Sequence, residues 1–277
     1  MNRRCITFLM SCYIKDDPVA LKEALSSINE SNEKYKVQVV IVLDGPVELN
    51  IRNVVEYYGE QSPNDIVISE LPINRGLGIA LRHGASLCTG EYIFRLDSDD
   101  ISIPTRVDSS VFFLDYNPDV SVVGGVIEEF NFTPKDCLRL RKVPNDFESI
   151  RKFAKFRNPM NHVSVCFRKN FFDTVTYEHM PLYEDYFLWI NALNKGLVLR
   201  NLNDTFVYVR VADGIGDRRS GLSYFKKDIN FVISSIKVGH LSYVQAFRYL
   251  LARVLVRFLP NNIITKLYKI FLRSNSE

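Results

Sequence analysis

Three carboxylates in four residues, Asp97-Ser98-Asp99-Asp100, follow an apolar run, Glu91-Tyr-Ile-Phe-Arg-Leu96. Crowded carboxylates repel one another. A hard cation such as Mn²⁺ or Mg²⁺ relieves the repulsion, because oxygen ligands are the ones it prefers. The plainer use of the same residues is a polar turn in which aspartate caps the next segment, and Ile-Pro-Thr-Arg after it does start a helix pattern. A second acidic pair, Glu184-Asp185, opens the apolar periodic run Leu188, Ile190, Leu193. Acids suit any helix N-terminus, so the pair is either an ordinary first turn or a placed general base. Arg75 and Arg82 bracket a Gly76-Leu77-Gly78 helix opening, and Arg218-Arg219 lie in a glycine-containing stretch after residue 211. Arginine binds phosphate bidentately, so both pairs are candidate diphosphate contacts, the second on a mobile loop able to close over its ligand. His162 is a candidate acceptor contact, set against the commoner structural use of a lone histidine beside a strand.

The elements that must position these groups alternate along the first half. Ile6 to Ser11 reads as a strand; Asp17-Pro18 then supplies an N-cap and a first-turn proline for a helix carrying Leu21, Leu25 and Ile28. Val37 to Leu43 is a buried-strand run ending at the turn Asp44-Gly45-Pro46. Ile51 to Tyr58 predicts a helix, Ile66 to Ser69 a short strand, Leu77 to about Cys88 a helix, and Glu91 to Leu96 a strand. This alternation implies βαβ units and a mostly parallel sheet. Ligands of such sheets bind beyond the strands' carboxyl ends, where Asp44 and Asp97–Asp100 fall.

Composition excludes other classes. Of 277 residues, 47% are hydrophobic and 24% charged, so the chain buries a real core and is not disordered. A net charge of +3 is too small for a general nucleic-acid binder. Five scattered cysteines, with no CxxC pair, give neither a disulfide framework nor a zinc site and fit a reducing cytoplasm. The apolar start soon meets Lys15, Asp16 and Asp17 and reads as a first strand, not a signal peptide. No apolar run is long enough to span a bilayer. The charge is unevenly placed: from Leu241 onward six basic residues face one acid.

Taken in order, these motifs resemble family 2 glycosyltransferases of the GT-A fold, the inverting group that includes bacterial O-antigen and capsule sugar transferases. The resemblance covers roughly residues 4–215. Ile-Thr-Phe-Leu-Met-Ser-Cys-Tyr13 is similar to the family's first strand, although Cys12 and Ile14 depart from its turn. Val-Val-Ile-Val-Leu-Asp44-Gly is similar to the strand ending in Asp-Asp-Gly-Ser, with Leu43 in place of the first acid. Asn74-Arg75-Gly76 and Gly90-Glu-Tyr-Ile93 precede the metal-binding DxD, here Asp97-x-Asp99. Asn158-Pro-Met-Asn-His162 resembles an acceptor-side strand, and Glu184-Asp185-Tyr-Phe-Leu-Trp189 the helix start that carries the base.

The resemblance implies a nucleotide-diphospho-sugar transferase fold: α/β, a Rossmann-like, mostly parallel sheet flanked by helices. The expected organisation is a catalytic domain over 1–215, then a mobile loop and basic amphipathic helices over 216–277. It implies Asp185 as base with Glu184 beside it. Asp99, with Asp97, would hold Mn²⁺ or Mg²⁺, and Asp97 would more readily meet the ribose or a metal-bound water. Tyr13, Asp44, Arg75, Gly76, Arg82, Asp97, Ser98, Arg218 and Arg219 would serve a nucleotide-sugar donor, UDP-linked in most of the family, with Asp44 on the base. The acceptor would be a polyprenyl-diphosphate-linked sugar. The tail from Tyr243, with arginines at 248, 253 and 257, a break at Pro260, and Lys266 and Lys269, suits an anionic membrane surface; packing on the catalytic domain or a dimer is the alternative. A peripheral enzyme on the inner face of the cytoplasmic membrane follows. Other classes fit less well. A phosphatase with an aspartyl nucleophile carries its DxD after the first strand, and a sugar-nucleotide nucleotidyltransferase needs an N-terminal glycine-rich signature absent here. A sugar-nucleotide binding protein without catalysis is the remaining alternative.

Overall fold

The structure, a computed structural model, describes residues 3–29, 34–131, 133–134, 136–211 and 221–258. The chain divides into two compact units, Met1–Arg210 and Val211–Glu277. The boundary expected at 215/216, Arg218-Arg219, and the tail beyond Phe258 lie outside the described residues.

In the first unit the apolar runs become β1 (Cys5–Cys12), β2 (Lys36–Leu43), β3 (Asp65–Glu70) and β4 (Tyr92–Arg95). They lie side by side in the order β3-β2-β1-β4, all parallel. β1 and β2 are buried on both faces, as their unbroken apolar sequence requires. Because side chains alternate along a strand, Phe8, Met10, Val39 and Ile41 enter one core with helices α1 (Pro18–Ile28), α2 (Leu49–Gln61) and α4 (Thr105–Tyr116). Leu9, Val40 and Val42 enter a second core with α3 (Leu77–Leu87), α5 (Phe147–Phe153), α6 (Phe171–Thr174) and α7 (Glu184–Asn194). Asp17 caps α1 as expected, accepting the Val19 N–H at 2.7 Å ahead of the first-turn proline.

The sheet continues past β4 through β8 (Cys166–Arg168), β6 (Val120–Phe130), β9 (Val198–Arg210) and the short β5 (Ile101–Ser102), while β7 (Cys137–Arg141) pairs with β6. β8 is antiparallel to β4 and β6, whereas β6 and β9 run parallel. Most of the ladder is therefore parallel, with a mixed second half that the alternating pattern did not predict. The order places the carboxyl ends of β2, β1 and β4 next to one another. Asp44, Tyr13 and Asp97 consequently share one rim of the sheet.

The second unit pairs α8 (Leu222–Lys237) with α9 (Tyr243–Phe258). Phe231 meets Tyr249 at 5.7 Å between ring centroids, and Phe225 meets Phe258 at 5.5 Å. Arg257 and Asp228 form a buried bidentate pair at 2.7 and 2.9 Å. Arg257 is thus committed to holding the two helices together, a correction to its expected place among the residues facing a membrane. α9 nevertheless exposes Val244, Phe247, Leu251, Val254 and Phe258, three or four residues apart along one face. Among the described residues no helix is long and apolar enough to cross a membrane.

Candidate active site

The acidic cluster forms where β4 ends. Carboxylate oxygens of Asp97, Asp99 and Asp100 all lie within 4.8 Å of one another. Asp99 is exposed, Asp97 half-buried and Asp100 buried. Burial and then the neighbouring Asp97 push Asp99 up to about 6, and the same causes push Asp100 well above the carboxylate range. Asp100 is spoken for, accepting the Arg210 N–H at 2.9 Å. Asp97 and Asp99 remain as an all-oxygen donor set whose mutual repulsion a divalent cation relieves, so the residues fit the metal that the sequence implies.

Two buried arginines set the cluster's position. Arg95, 2% exposed, pairs with Asp97, while its Nε and Nη1 have no hydrogen-bond partner. Its charge also acts on Asp99, Glu184 and Asp185, lowering each. Arg106 is fully buried, donating from Nη2 to the carbonyls of Arg95, Val163 and Val165 at 2.6, 3.0 and 3.0 Å. It clips the end of β4 to the segment leading into β8. The sequence singles out neither arginine: Arg95 reads as an interruption of an apolar strand, and Arg106 as an ordinary first-turn residue of α4. Asp16 was missed too. It accepts the Tyr13 N–H (3.1 Å), and Ser98 of the cluster favours its charged form against the effect of burial.

Glu184 and Asp185 occupy the first turn of α7, as predicted. The residue two before them, Leu182, holds φ at +76°, a left-handed conformation that costs a non-glycine residue about 1–2 kcal/mol. Strain of this kind collects where side-chain placement matters more than stability. Asp185 accepts the Asn158 amide at 2.5 Å and the Tyr186 N–H at 2.7 Å. Burial raises its pKa, and these two hydrogen bonds counter that. Glu184 is raised to about 7 by burial and by Asp185, and its Oε2 is buried without a partner. An orphaned carboxylate oxygen of this kind fits a ligand hydroxyl.

Space for Glu184 comes from Gly78 in the first turn of α3. A Cβ on Gly78 would stand 2.6 Å from the Glu178 carbonyl oxygen and 3.1 Å from the Glu184 Cβ. Gly78→Ala should therefore cost about 1–3 kcal/mol by overpacking, read as a lower denaturation midpoint, and should reduce activity through displaced Glu184.

The remaining expected residues fall into three groups. Tyr13 is exposed just beyond β1, and Arg75 is exposed at the α3 opening, both near the rim. Asp44 is 4% exposed and accepts the N–H groups of Arg75 (2.7 Å) and Gly76 (2.8 Å). Its carboxylate anchors the α3 entrance at the rim where the sequence expects a nucleotide base. Arg82 points outward on α3, and among the described residues no hydrogen bond or ion pair joins it to the cluster. His162 Nε2 meets the Tyr177 hydroxyl at 2.7 Å, its ring packs edge-on to Trp189, and burial holds it neutral.

Comparison with known proteins agrees with this geometry. Residues 7–174 match the family described as Glycosyl transferase family 2. An uncharacterized glycosyltransferase of Haemophilus influenzae is 35% identical over 96% of this chain and 98% of its own. A UDP-Gal:alpha-D-GlcNAc-diphosphoundecaprenol beta-1,3-galactosyltransferase of Escherichia coli is 34% identical over 96% of this chain and 95% of its own. Among solved structures, the mannosyltransferase PcManGT of Pyrobaculum calidifontis, in complex with GDP-Man and Mn²⁺, superposes with a TM-score of 0.64 at 16% identity, covering 92% of this chain and 70% of that one.

Proposed function

The chain belongs to glycosyltransferase family 2, and from that membership we propose that it transfers a hexose, with inversion, from a UDP-sugar to a saccharide on a polyprenyl diphosphate during bacterial surface-polysaccharide synthesis. The observation that carries this reading is the meeting of two acidic groups around one buried cation. Arg95 pairs with Asp97, and its charge also acts on Asp99, Glu184 and Asp185. The first pair suits a diphosphate–metal complex, the second an attacking hydroxyl. The donor and acceptor classes are supported by the E. coli relative, whose name specifies UDP-Gal and a diphosphoundecaprenol-linked GlcNAc.

In this mechanism Asp185 accepts the proton of the acceptor hydroxyl. The freed oxygen attacks the anomeric carbon opposite the departing nucleotide. The bond from that carbon to the diphosphate oxygen breaks, its electron pair leaves with UDP, and an α-linked donor gives a β-linked product. Glu184 Oε2 accepts a sugar hydroxyl and orients it. Tyr13 and Arg75 line the donor side, and Ser98 positions Asp16 beside the cluster. Asp97 and Asp99 are the residues that would hold Mn²⁺ or Mg²⁺, whose charge stabilises the departing diphosphate. The test is transfer from a panel of UDP-sugars to N-acetylglucosaminyl diphosphate carrying an alkyl chain, with the product linkage read by NMR. Absence of any transfer or donor turnover across UDP- and GDP-sugars would leave a binding protein, and formation of a sugar nucleotide from a sugar phosphate a nucleotidyltransferase.

The same reading places the enzyme at the inner face of the cytoplasmic membrane, with the apolar face of α9 against the lipid. Arg248 is exposed beside that face, while Arg253 donates to the Tyr249 hydroxyl at 2.8 Å. Phe247 is 68% exposed and Leu251 53%, so charging both disturbs no core. Phe247→Asp with Leu251→Asp should abolish co-sedimentation with anionic vesicles at low salt and leave donor hydrolysis unchanged. Equal sedimentation of variant and wild type would remove this face as the anchor.

A further inference from the structure

The strongest unexplained charge in the first unit lies beside the candidate base. Residues 137–157 hold seven basic side chains and two acidic ones. Several are already engaged. Arg139 pairs with Glu129 at 2.9 Å, and Arg151 with Glu148 at 3.1 Å. Asp146 caps α5 through the Ser149 N–H. Arg141 and Arg157 are different. Both are exposed, and among the described residues neither has a carboxylate at ion-pair distance. Arg139 and Arg141 project from the same face of β7, because side chains two apart on a strand share a side.

Their placement follows from the backbone around Asp185. Asn158, which donates to Asp185 at 2.5 Å, directly follows Arg157. Asn161 donates to the Arg141 carbonyl at 3.0 Å, tying the end of β7 to the same short segment. The charges of Asp185, Glu129, Arg139 and Arg157 all act on the Arg141 guanidinium. Arg139 and Arg157 oppose the Arg141 charge, neither Arg141 nor Arg157 has a carboxylate at ion-pair distance among the described residues, and both gain from a dianionic ligand with several acceptor oxygens. Arginine's fixed fork matches such oxygens bidentately.

We propose that Arg141 and Arg157, with Arg139 at their flank, form the subsite for the acceptor's diphosphate. The inference rests on the lipid-diphosphate acceptor proposed above and adds where that group binds. A diphosphate held next to Asp185 stands one sugar away from the attacking hydroxyl. The acceptor is therefore a single sugar on its diphosphate lipid, and the diphosphate, more than the sugar, supplies the anchor.

The test compares two acceptors in detergent with the full-length chain and the donor that the screen selects: N-acetylglucosaminyl diphosphate with an alkyl chain, and the alkyl glycoside of the same sugar without the diphosphate. Wild type should favour the diphosphate in kcat/KM. In Arg141→Gln and in Arg157→Gln that preference should fall about 10- to 100-fold, the loss expected for a hydrogen-bonded charge pair. Lys22→Gln, a charge-matched change on exposed α1, should keep the wild-type preference. An unchanged preference in both arginine variants, or an equal drop on both acceptors, would overturn the subsite while leaving the acceptor class intact. Wild type that uses both acceptors equally would overturn the acceptor class and the subsite together. If the variants lose only their binding to anionic vesicles that lack acceptor, the arginines contact lipid headgroups and the subsite is likewise overturned.

Discussion

Asp185→Asn lowers turnover by about 10²–10⁴-fold, the range that positioned proton transfer contributes. The substitution keeps shape and volume. Its amide finds the Asn158 amide at the position of a 2.5 Å hydrogen bond, so one of the two must flip, but the chain still folds. Donor KM should hardly move, because Asp97 and Asp99 are untouched. Glu184→Gln separates the roles: it should weaken acceptor use more modestly, since it removes an orienting carboxylate and not the base. The two also differ in stability. Glu184 is raised to about 7, so its folded form holds a proton that the unfolded chain has released. Its neutral form contributes stability that is fully present below the ordinary glutamate range and is lost as pH rises through about 7. Glu184→Gln should thus raise the melting temperature at pH 8 and change little at pH 4, a gain of about 1–3 kcal/mol bought with activity. Turnover, which needs ionised carboxylates, should fall as pH drops. If the acid limb near 7 belongs to Glu184, it disappears in Glu184→Gln. An inactive Glu184→Gln beside a near-normal Asp185→Asn would move the base one residue earlier.

The parts of this site that were legible in the sequence are those in which a local pattern carries the chemistry. An apolar run ending in DxDD must be a strand ending at a rim, and an acidic pair opening an apolar period must be a helix start. Both expectations match the observed β4 and α7. What stayed hidden depends on long-range contact. Arg95 and Arg106 sit inside or next to apolar runs, and only the approach of residues 163–165 gives Arg106 its partners. Asp44 ends a strand in plain view, but only the turn at Asn74–Gly76, folding back, supplies the N–H donors that hold its carboxylate. The β6–β7 hairpin carries Arg139 and Arg141, and its β7 strand is exposed along its whole length. β7 does alternate, Leu138-Arg139-Leu140-Arg141, but so short a run with neither face buried does not stand out as part of a site. Acceptor-side chemistry is therefore less legible than donor-side chemistry in this chain.

Asp99→Asn should abolish transfer, by about 10³-fold or more, since Lewis-acid stabilisation of a leaving group is worth several kcal/mol. Asp99 is the cleaner of the two DxD positions to change. Asp97 is the partner of Arg95, which is 2% exposed, and Asp97→Asn would strand that buried guanidinium at a cost of about 3–5 kcal/mol. Lost activity in Asp97→Asn would therefore mix metal loss with destabilisation. Asp99 ion-pairs with nothing described and is held near 6 by partial burial and by its acidic neighbours Asp97 and Asp16. Removing its charge relieves repulsion, so the metal-free variant should melt no lower than wild type while failing to bind Mn²⁺ in a titration. The same repulsion makes metal binding proton-linked. A cation arriving below pH 6 must displace the Asp99 proton, so Mn²⁺ affinity should fall about tenfold per pH unit there and level off above it. EDTA should silence the wild-type enzyme reversibly, with Mn²⁺ or Mg²⁺ restoring it. Full transfer in EDTA, or an Asp99→Asn enzyme that still turns over, would overturn the metal's role in stabilising the departing diphosphate.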